Sequence, residues 1–181
     1  MSPLTENLKE LYTKDYYSWT VENARILSEG KISEIDSTNL AEEVRDLGEE
    51  RYNKLTGHLS RVMEHIFKIE RYGSIGNLSD NRGCWLDSAE NHIDEAENVL
   101  AKNPGLKSRL SEAVTDAWRT GRGHLFDFIA DYNSRNSRGN HLKSRDIPKE
   151  SPWTSYEEIV RHTRTLKAEI EKPNRSRGLG L

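Results

Sequence analysis

At 181 residues the chain is long enough for one well-buried domain and too short to expect two. With 34% hydrophobic and 31% charged residues it suits thin amphipathic helices with wet outer faces better than a sheet covered on both sides, and it is too apolar and too regularly patterned to be disordered throughout. No run approaches the roughly eighteen apolar residues of a membrane span, the start Met1-Ser-Pro-Leu-Thr-Glu-Asn lacks the basic and apolar regions of a signal peptide, and a lone Cys84 excludes an internal disulfide and a cysteine-cluster zinc site.

A cytoplasmic protein is therefore expected. The net charge of −3 hides an asymmetry. Residues 1–50 carry five Lys/Arg against twelve Asp/Glu, residues 51–132 eleven against twelve, and residues 133–181 eleven against six. Such ends either pack together or stack in a dimer, or the basic end reaches for phosphate; the first option is the plainer one.

In chain order, Ser2-Pro3 reads as an N-cap followed by proline at N1. Leu8, Tyr12, Tyr16, Trp19, Asn23 and Ile26/Leu27 then recur at helical spacing until Gly30 stops them. Asn39 with Glu42 has the form of a capping box. It opens a stripe of Leu40, Val44, Leu47, Leu55, Leu59, Val62, Ile66 and Ile69, a helix about 45 Å long if unbroken. Gly48 and Gly57 permit a bend in it. Residues 71–80 are loop by composition.

A third helix is predicted over Cys84–Lys102, with Trp85, Ala89, Ile93, Ala96 and Val99/Leu100 inward. Asn103-Pro104 starts a fourth carrying Leu106, Leu110, Val114, Ala117/Trp118, Leu125 and Phe128/Ile129. Gly121 and Gly123 weaken its middle enough that it could split in two. Residues 133–150 read as polar loop. Thr154 or Ser155 caps a last helix with Glu157 or Glu158 at N3, and Pro173 ends it before a frayed tail over 173–181.

No strand is predicted. The expectation is an all-α, up-and-down antiparallel bundle of four core helices plus a C-terminal helix, in a single domain over 1–172. Leu47, Leu55, Val62, Ile66, Trp19 and Leu110 hold the stripe centres and are expected to be buried.

Several segments appear together in order: Leu11-Tyr-Thr-Lys-Asp-Tyr-Tyr-Ser-Trp19, Ile35-Asp-Ser-Thr-Asn-Leu-Ala-Glu-Glu-Val-Arg-Asp-Leu-Gly48, His65-Ile-Phe-Lys68, Cys84-Trp85, Asn103-Pro-Gly-Leu106 and Ser151-Pro-Trp-Thr154. Over about residues 7–160 the chain thereby resembles a bacterial family, widespread in cyanobacteria and proteobacteria, named only as domain of unknown function 29. It departs from that family's usual tryptophan at Ile69, acidic residue at Arg45 and serine at Cys84. The resemblance implies an all-helical fold and no established chemistry.

Among residues that could carry chemistry, Glu42, Glu43 and Asp46 come first. One turn of helix sets Glu42 and Glu43 each beside Asp46, and paired carboxylates suit Mg²⁺ or Mn²⁺. If the first helix packs antiparallel, Trp19 falls near Leu47 and Asp15 comes within a turn of Asp46. The plainer alternative is a solvated acidic face.

His58 and His65 are two turns apart, about 10 Å, too far to chelate one ion. His65 beside Lys68 reads more simply as a boundary residue hydrogen-bonded to a neighbouring helix. The four tryptophans are expected in the core, and Cys84 is expected buried and inert. The basic loop offers Arg135, Arg138, Lys143 and Arg145 to phosphate, or simply to water. There is no Walker A loop, dinucleotide turn, His-Glu-x-x-His or nucleophile elbow.

Two functional readings follow. One is a non-catalytic helical interaction module that binds a protein partner or itself. The other is a metal-dependent hydrolase or nuclease with Mg²⁺ or Mn²⁺ on Glu42, Glu43 and Asp46, assisted by Asp15, His65 or Lys68, with the basic loop on nucleic acid.

Overall fold

Amphipathic runs separated by capping residues fold here into an all-α helical bundle. The computed structural model describes residues 3–136 and 141–172. Ser2, Arg138 and the segment 173–181 lie outside the described residues, and with them the first N-cap, one basic-loop candidate and the frayed tail. Among the described residues there is no strand, and no helix is long and apolar enough to cross a membrane. The helices are α1 (Pro3–Lys14), α2 (Tyr16–Ser28), α3 (Ser37–Tyr72), α4 (Arg82–Lys102), α5 (Leu110–Arg135) and α6 (Tyr156–Ile170). The residues gather into two compact units, 1–50 and 51–181.

In the first unit the single helix expected before Gly30 is interrupted. Asp15 takes φ −151° and caps α2, its carboxylate accepting from Ser18 N at 3.0 Å. An aspartate that can satisfy the first N–H groups of a new helix competes with continuation of the old one. Gly30, at φ +73°, closes α2 by a Schellman pattern in which Lys31 N donates to Ile26 O and Gly30 N to Leu27 O.

The cap of α3 is Asp36, not Asn39. The helix begins at Ser37, and Asp36 Oδ2 accepts from the Asn39 side chain at 2.6 Å. Leu8, Trp19 and Ile26 form this unit's small core, with Leu11, Tyr12, Ile35 and Leu40 against it.

The second unit holds the main core, supplied by Leu55, Leu59, Val62, Met63 and Ile66 of α3 with matching stripes from α4, α5 and α6. The contacts fix directions. His58 meets His92 and His65 meets Ser88, so α4 runs antiparallel to α3. Tyr52 meets Asp116 and Lys68 meets Phe128, so α5 runs parallel to α3. α6 runs antiparallel to α4, Tyr156 lying with Glu97 and Lys167 with Glu90, and so runs the same way as α5. The connection carrying Leu142, Ile147 and Trp153, all buried, therefore returns the chain along the bundle rather than forming a simple polar loop.

α5 is one helix, not two. A Cβ at Gly121 would stand 2.7 Å from the carbonyl oxygen of Ser60, whereas at Gly123 nothing lies within 4 Å. Gly121 is what lets α5 approach α3. Before α4 and α5 the chain adds short 3-10 turns at Gly76–Asn81 and Pro104–Arg109, so Asn103-Pro104 starts a turn and not the helix proper.

The expected core is present at Trp19, Leu55, Val62 and Ile66, but Leu110 is only half-buried and Leu47 is 58% exposed. The register explains Leu47: Trp19 packs at the start of α3, against Asp36, and does not reach it. Cys84 is exposed rather than buried.

Ile66→Ala should cost about 2–5 kcal/mol in chemical denaturation, and Leu47→Ala less than about 0.5 kcal/mol. Equal losses at both would contradict this division of α3 into an open and a buried stretch. Gly123→Ala should stabilise by about 0.5–1 kcal/mol through helix propensity. Gly121→Ala should destabilise despite the same propensity gain, because Ser60 O is backbone and cannot swing aside; a stabilised Gly121→Ala protein would disprove the close approach.

Candidate functional site

The carboxylates singled out in the sequence separate in the structure. Glu43 is half-buried and both its oxygens are occupied: Tyr12 Oη donates to Oε1 at 2.8 Å and Tyr16 Oη to Oε2 at 2.5 Å. Those bonds hold the Glu43 carboxyl below the usual carboxylate range, the Tyr16 phenol first, and push Tyr12 up to about 12. Glu42 and Asp46 are exposed on the same helix. Asp15 spends its carboxylate on Ser18, whose hydroxyl and backbone N–H lower its pKa. Among the described residues no three of His, Cys, Asp and Glu converge to hold a metal ion.

Glu43 belongs to a polar-aromatic clamp. Trp19 stacks on Tyr16 with ring centroids 5.5 Å apart and meets Tyr12 edge-on at 4.9 Å. Its indole N–H donates to Asp36 Oδ2 at 3.2 Å. Asp36 is fully buried, and Asn23 accepts from its backbone N–H at 3.0 Å. Sequence reasoning missed this role for Asp36 and Asn23. The signal available was the run Ile35-Asp-Ser-Thr-Asn, which was matched to a cap three residues too late.

The same segment exposes apolar side chains. Tyr16, Tyr17, Val21, Leu27, Ile32, Val44 and Leu47 are all exposed large hydrophobic side chains, Tyr17 at 77%. Leu8, Leu11, Tyr17 and Val21 line a groove of about 420 Å³ between α1 and α2. No other stretch of the described residues exposes large apolar side chains in this way.

His65 and Lys68 sit elsewhere, in an ionic cluster inside the second unit. Lys68 Nζ, 7% exposed as a residue, donates to Glu64 Oε1 at 2.5 Å and lies 4.3 Å from the Phe128 ring centre. Glu64 is buried too, and its other oxygen accepts from Arg61 at 2.9 Å. His124 Nδ1 is 3.1 Å from the same oxygen but not aligned to hydrogen-bond.

A buried carboxylate would ordinarily be pushed up. Here burial is outweighed by the hydrogen bond and charge of Lys68, helped by His65 and Arg61, and Glu64 lies below its ordinary value. His65 Nε2 is 3.0 Å from Ser88 Oγ of α4, the plainer role the sequence suggested. Its Nδ1 is buried without a partner, and burial pushes the imidazole down to about 4. Glu64, His92 and His124 were not singled out in the sequence, because a lone Glu or His on a helix stripe gives no sign of its partner on another helix.

The basic loop is partly spent on structure. Arg135 pairs with Asp131 at 2.8 Å, and the Asn133 side chain bonds both the N–H and the C=O of Leu142. Lys143 and Arg145 are exposed, and the described part of the loop holds no aromatic ring to stack a base.

The family described as Domain of unknown function DUF29 matches residues 11–165, and the chain belongs to that family. No curated protein and no solved structure matches the chain.

The buried imidazoles set a pH dependence. His65, and likewise His58 and His92, are depressed by burial below the unfolded value of about 6.5. Between that value and the folded one the unfolded chain binds protons that the native chain does not, so stability rises with pH and is lost as pH falls. Melting temperature should therefore drop between about pH 7 and about pH 4.5, and His65→Gln should make that drop shallower. An identical pH profile in parent and variant would show that His65 does not titrate as its burial requires.

Proposed function

We propose that this member of the family is a non-catalytic helical interaction module whose docking face lies on residues 1–50. One observation carries the reading: every exposed large apolar side chain among the described residues falls between Tyr16 and Leu47. Large apolar side chains left in water within one segment of 32 residues are costly and mark contact sites.

The chemistry of the partner follows from the charges. Residues 1–50, which hold Val44 and Leu47, carry five Lys/Arg against twelve Asp/Glu. Two copies meeting through this face would repel. A protein partner offering an amphipathic helix, apolar on one side and basic at its edges, matches both the apolar and the acidic character.

A synthetic amphipathic helix of leucine and lysine is a suitable probe, with its leucine–aspartate counterpart as control. By fluorescence anisotropy the basic peptide should bind at about micromolar concentration and weaken as salt rises. Val44→Ser with Leu47→Ser should abolish binding while leaving the melting temperature unchanged, because neither side chain is in the core. Equal binding of the acidic peptide, or undiminished binding by the variant, would refute the reading. Concentration-dependent dimerisation lost in the same variant would replace the partner by a second copy.

The competing reading, a metal-dependent hydrolase or nuclease on Glu42, Glu43 and Asp46, predicts something else. Mn²⁺ at 100 times its dissociation constant would stabilise the parent by about 2.7 kcal/mol. Glu43→Gln with Asp46→Asn would remove that stabilisation along with any cleavage of nucleic acid. The interaction module is indifferent to Mn²⁺.

A further inference from the structure

On the far side of α5 from the ionic cluster, the returning connection crosses the helix and encloses a depression of about 490 Å³. Its lining includes Ser111, Thr115, Trp118 and Arg122 from one face of α5, and Lys149 and Trp153 from the connection. That volume lies within the range of small-molecule sites. Trp118 and Trp153 meet edge to face at 5.8 Å and are both buried, giving the depression a firm apolar base.

Cations outnumber acids around this base. Arg119, Arg122 and Lys149 contribute three cations against one lining carboxylate, Glu150. Arg119 is engaged by Asp116 at 2.8 Å. Arg122 lies over the Phe126 ring at 4.8 Å and, like Lys149, has no carboxylate partner among the described residues. Arg122 Nε and Trp118 Nε1 are buried donors with no acceptor. The first turn of α5, the positive end of its dipole, lies at Ser111. In a chain of net charge −3, this concentrates unpaired donors and positive charge on one concave, partly apolar surface.

We infer that this depression binds a small organic phosphate, its oxyanion held by Arg122 and Lys149 and its organic part resting on Val114 and the tryptophan pair. Arginine and lysine beside hydroxyl groups are the usual partners of phosphate oxygens. The buried N–H groups supply what an anion satisfies and a cation or neutral hydrocarbon does not. The site is independent of the docking face on residues 1–50, and either can fail without the other.

The test uses the full chain with glucose 6-phosphate as organic probe, inorganic phosphate as the free-anion arm and glucose as the uncharged arm. Two of the four tryptophans line the depression, so intrinsic fluorescence reports on it directly. Glucose 6-phosphate should give a saturable change at low salt and raise the melting temperature, inorganic phosphate a weaker one, and glucose none. Lys149 is exposed, so Lys149→Gln should fold normally and weaken binding about tenfold, the worth of one charge-assisted hydrogen bond. Arg122→Gln should weaken it at least as much, with unchanged far-ultraviolet circular dichroism. No saturable signal at millimolar glucose 6-phosphate, or equal affinity in parent and Lys149→Gln, would overturn the assignment. Inorganic phosphate binding as tightly as the sugar phosphate would overturn the organic part of it.

Discussion

The second unit depends on how closely α5 can lie against α3. The contact at Gly121 and Ser60 leaves no room for a side chain, and two parallel helices at that distance bring their following turns face to face. Lys68 is thereby pressed under Phe128 and removed from water. An ammonium in that position is tolerated only with an anion bonded to it, and Glu64, one turn earlier on the same helix, provides it. Arg61, on the outside, bonds the other oxygen of Glu64. Burial pushes the His65 imidazole down despite the charge of Glu64, and Lys68 and Arg61 add to the effect.

The first unit solves a different problem. Among the described residues its apolar core is three fully buried side chains, too few to fix two short helices by packing alone. The remainder is done by directed bonds from aromatic side chains to acids: Trp19 to Asp36, and Tyr12 and Tyr16 to Glu43. This arrangement uses the rings both as packing and as donors, and it leaves Tyr17, Val21, Val44 and Leu47 facing outward. Glu43 serves here as the acceptor that seats two phenols. Glu42 and Asp46 remain exposed on the same helix.

The elements were largely legible in the sequence. Apolar spacing found the helices, Gly30 and Ser155 acted as stop and start, and the order of motifs from Leu11 to Thr154 identified the family. These succeed because capping and amphipathicity are local: the residues that satisfy a helix end, or face one side of it, lie within a few positions of each other. Even the failures at Asp15 and Asp36 were local, a cap against helix continuation at the first and two neighbouring caps at the second, and they moved boundaries without changing the class of fold.

What only the tertiary structure decided was which positions of a continuous stripe are covered, and which charged groups meet. Val44 and Leu47 belong to the same stripe as Leu55 and Leu59, yet the first pair is open and the second buried, because coverage comes from other helices and not from the stripe itself. Glu43 could not be told from its neighbours Glu42 and Asp46 until two tyrosines from α1 and α2 were placed on it. Glu64, His92 and His124 acquired their environments only when three helices were brought together, and Arg122 and Lys149 faced one depression only after residues 141–155 had doubled back along the bundle. Periodicity fixes the side of a helix on which a residue lies; burial, desolvation and pKa belong to pairs of residues far apart in the chain, and those pairs exist only in the folded protein.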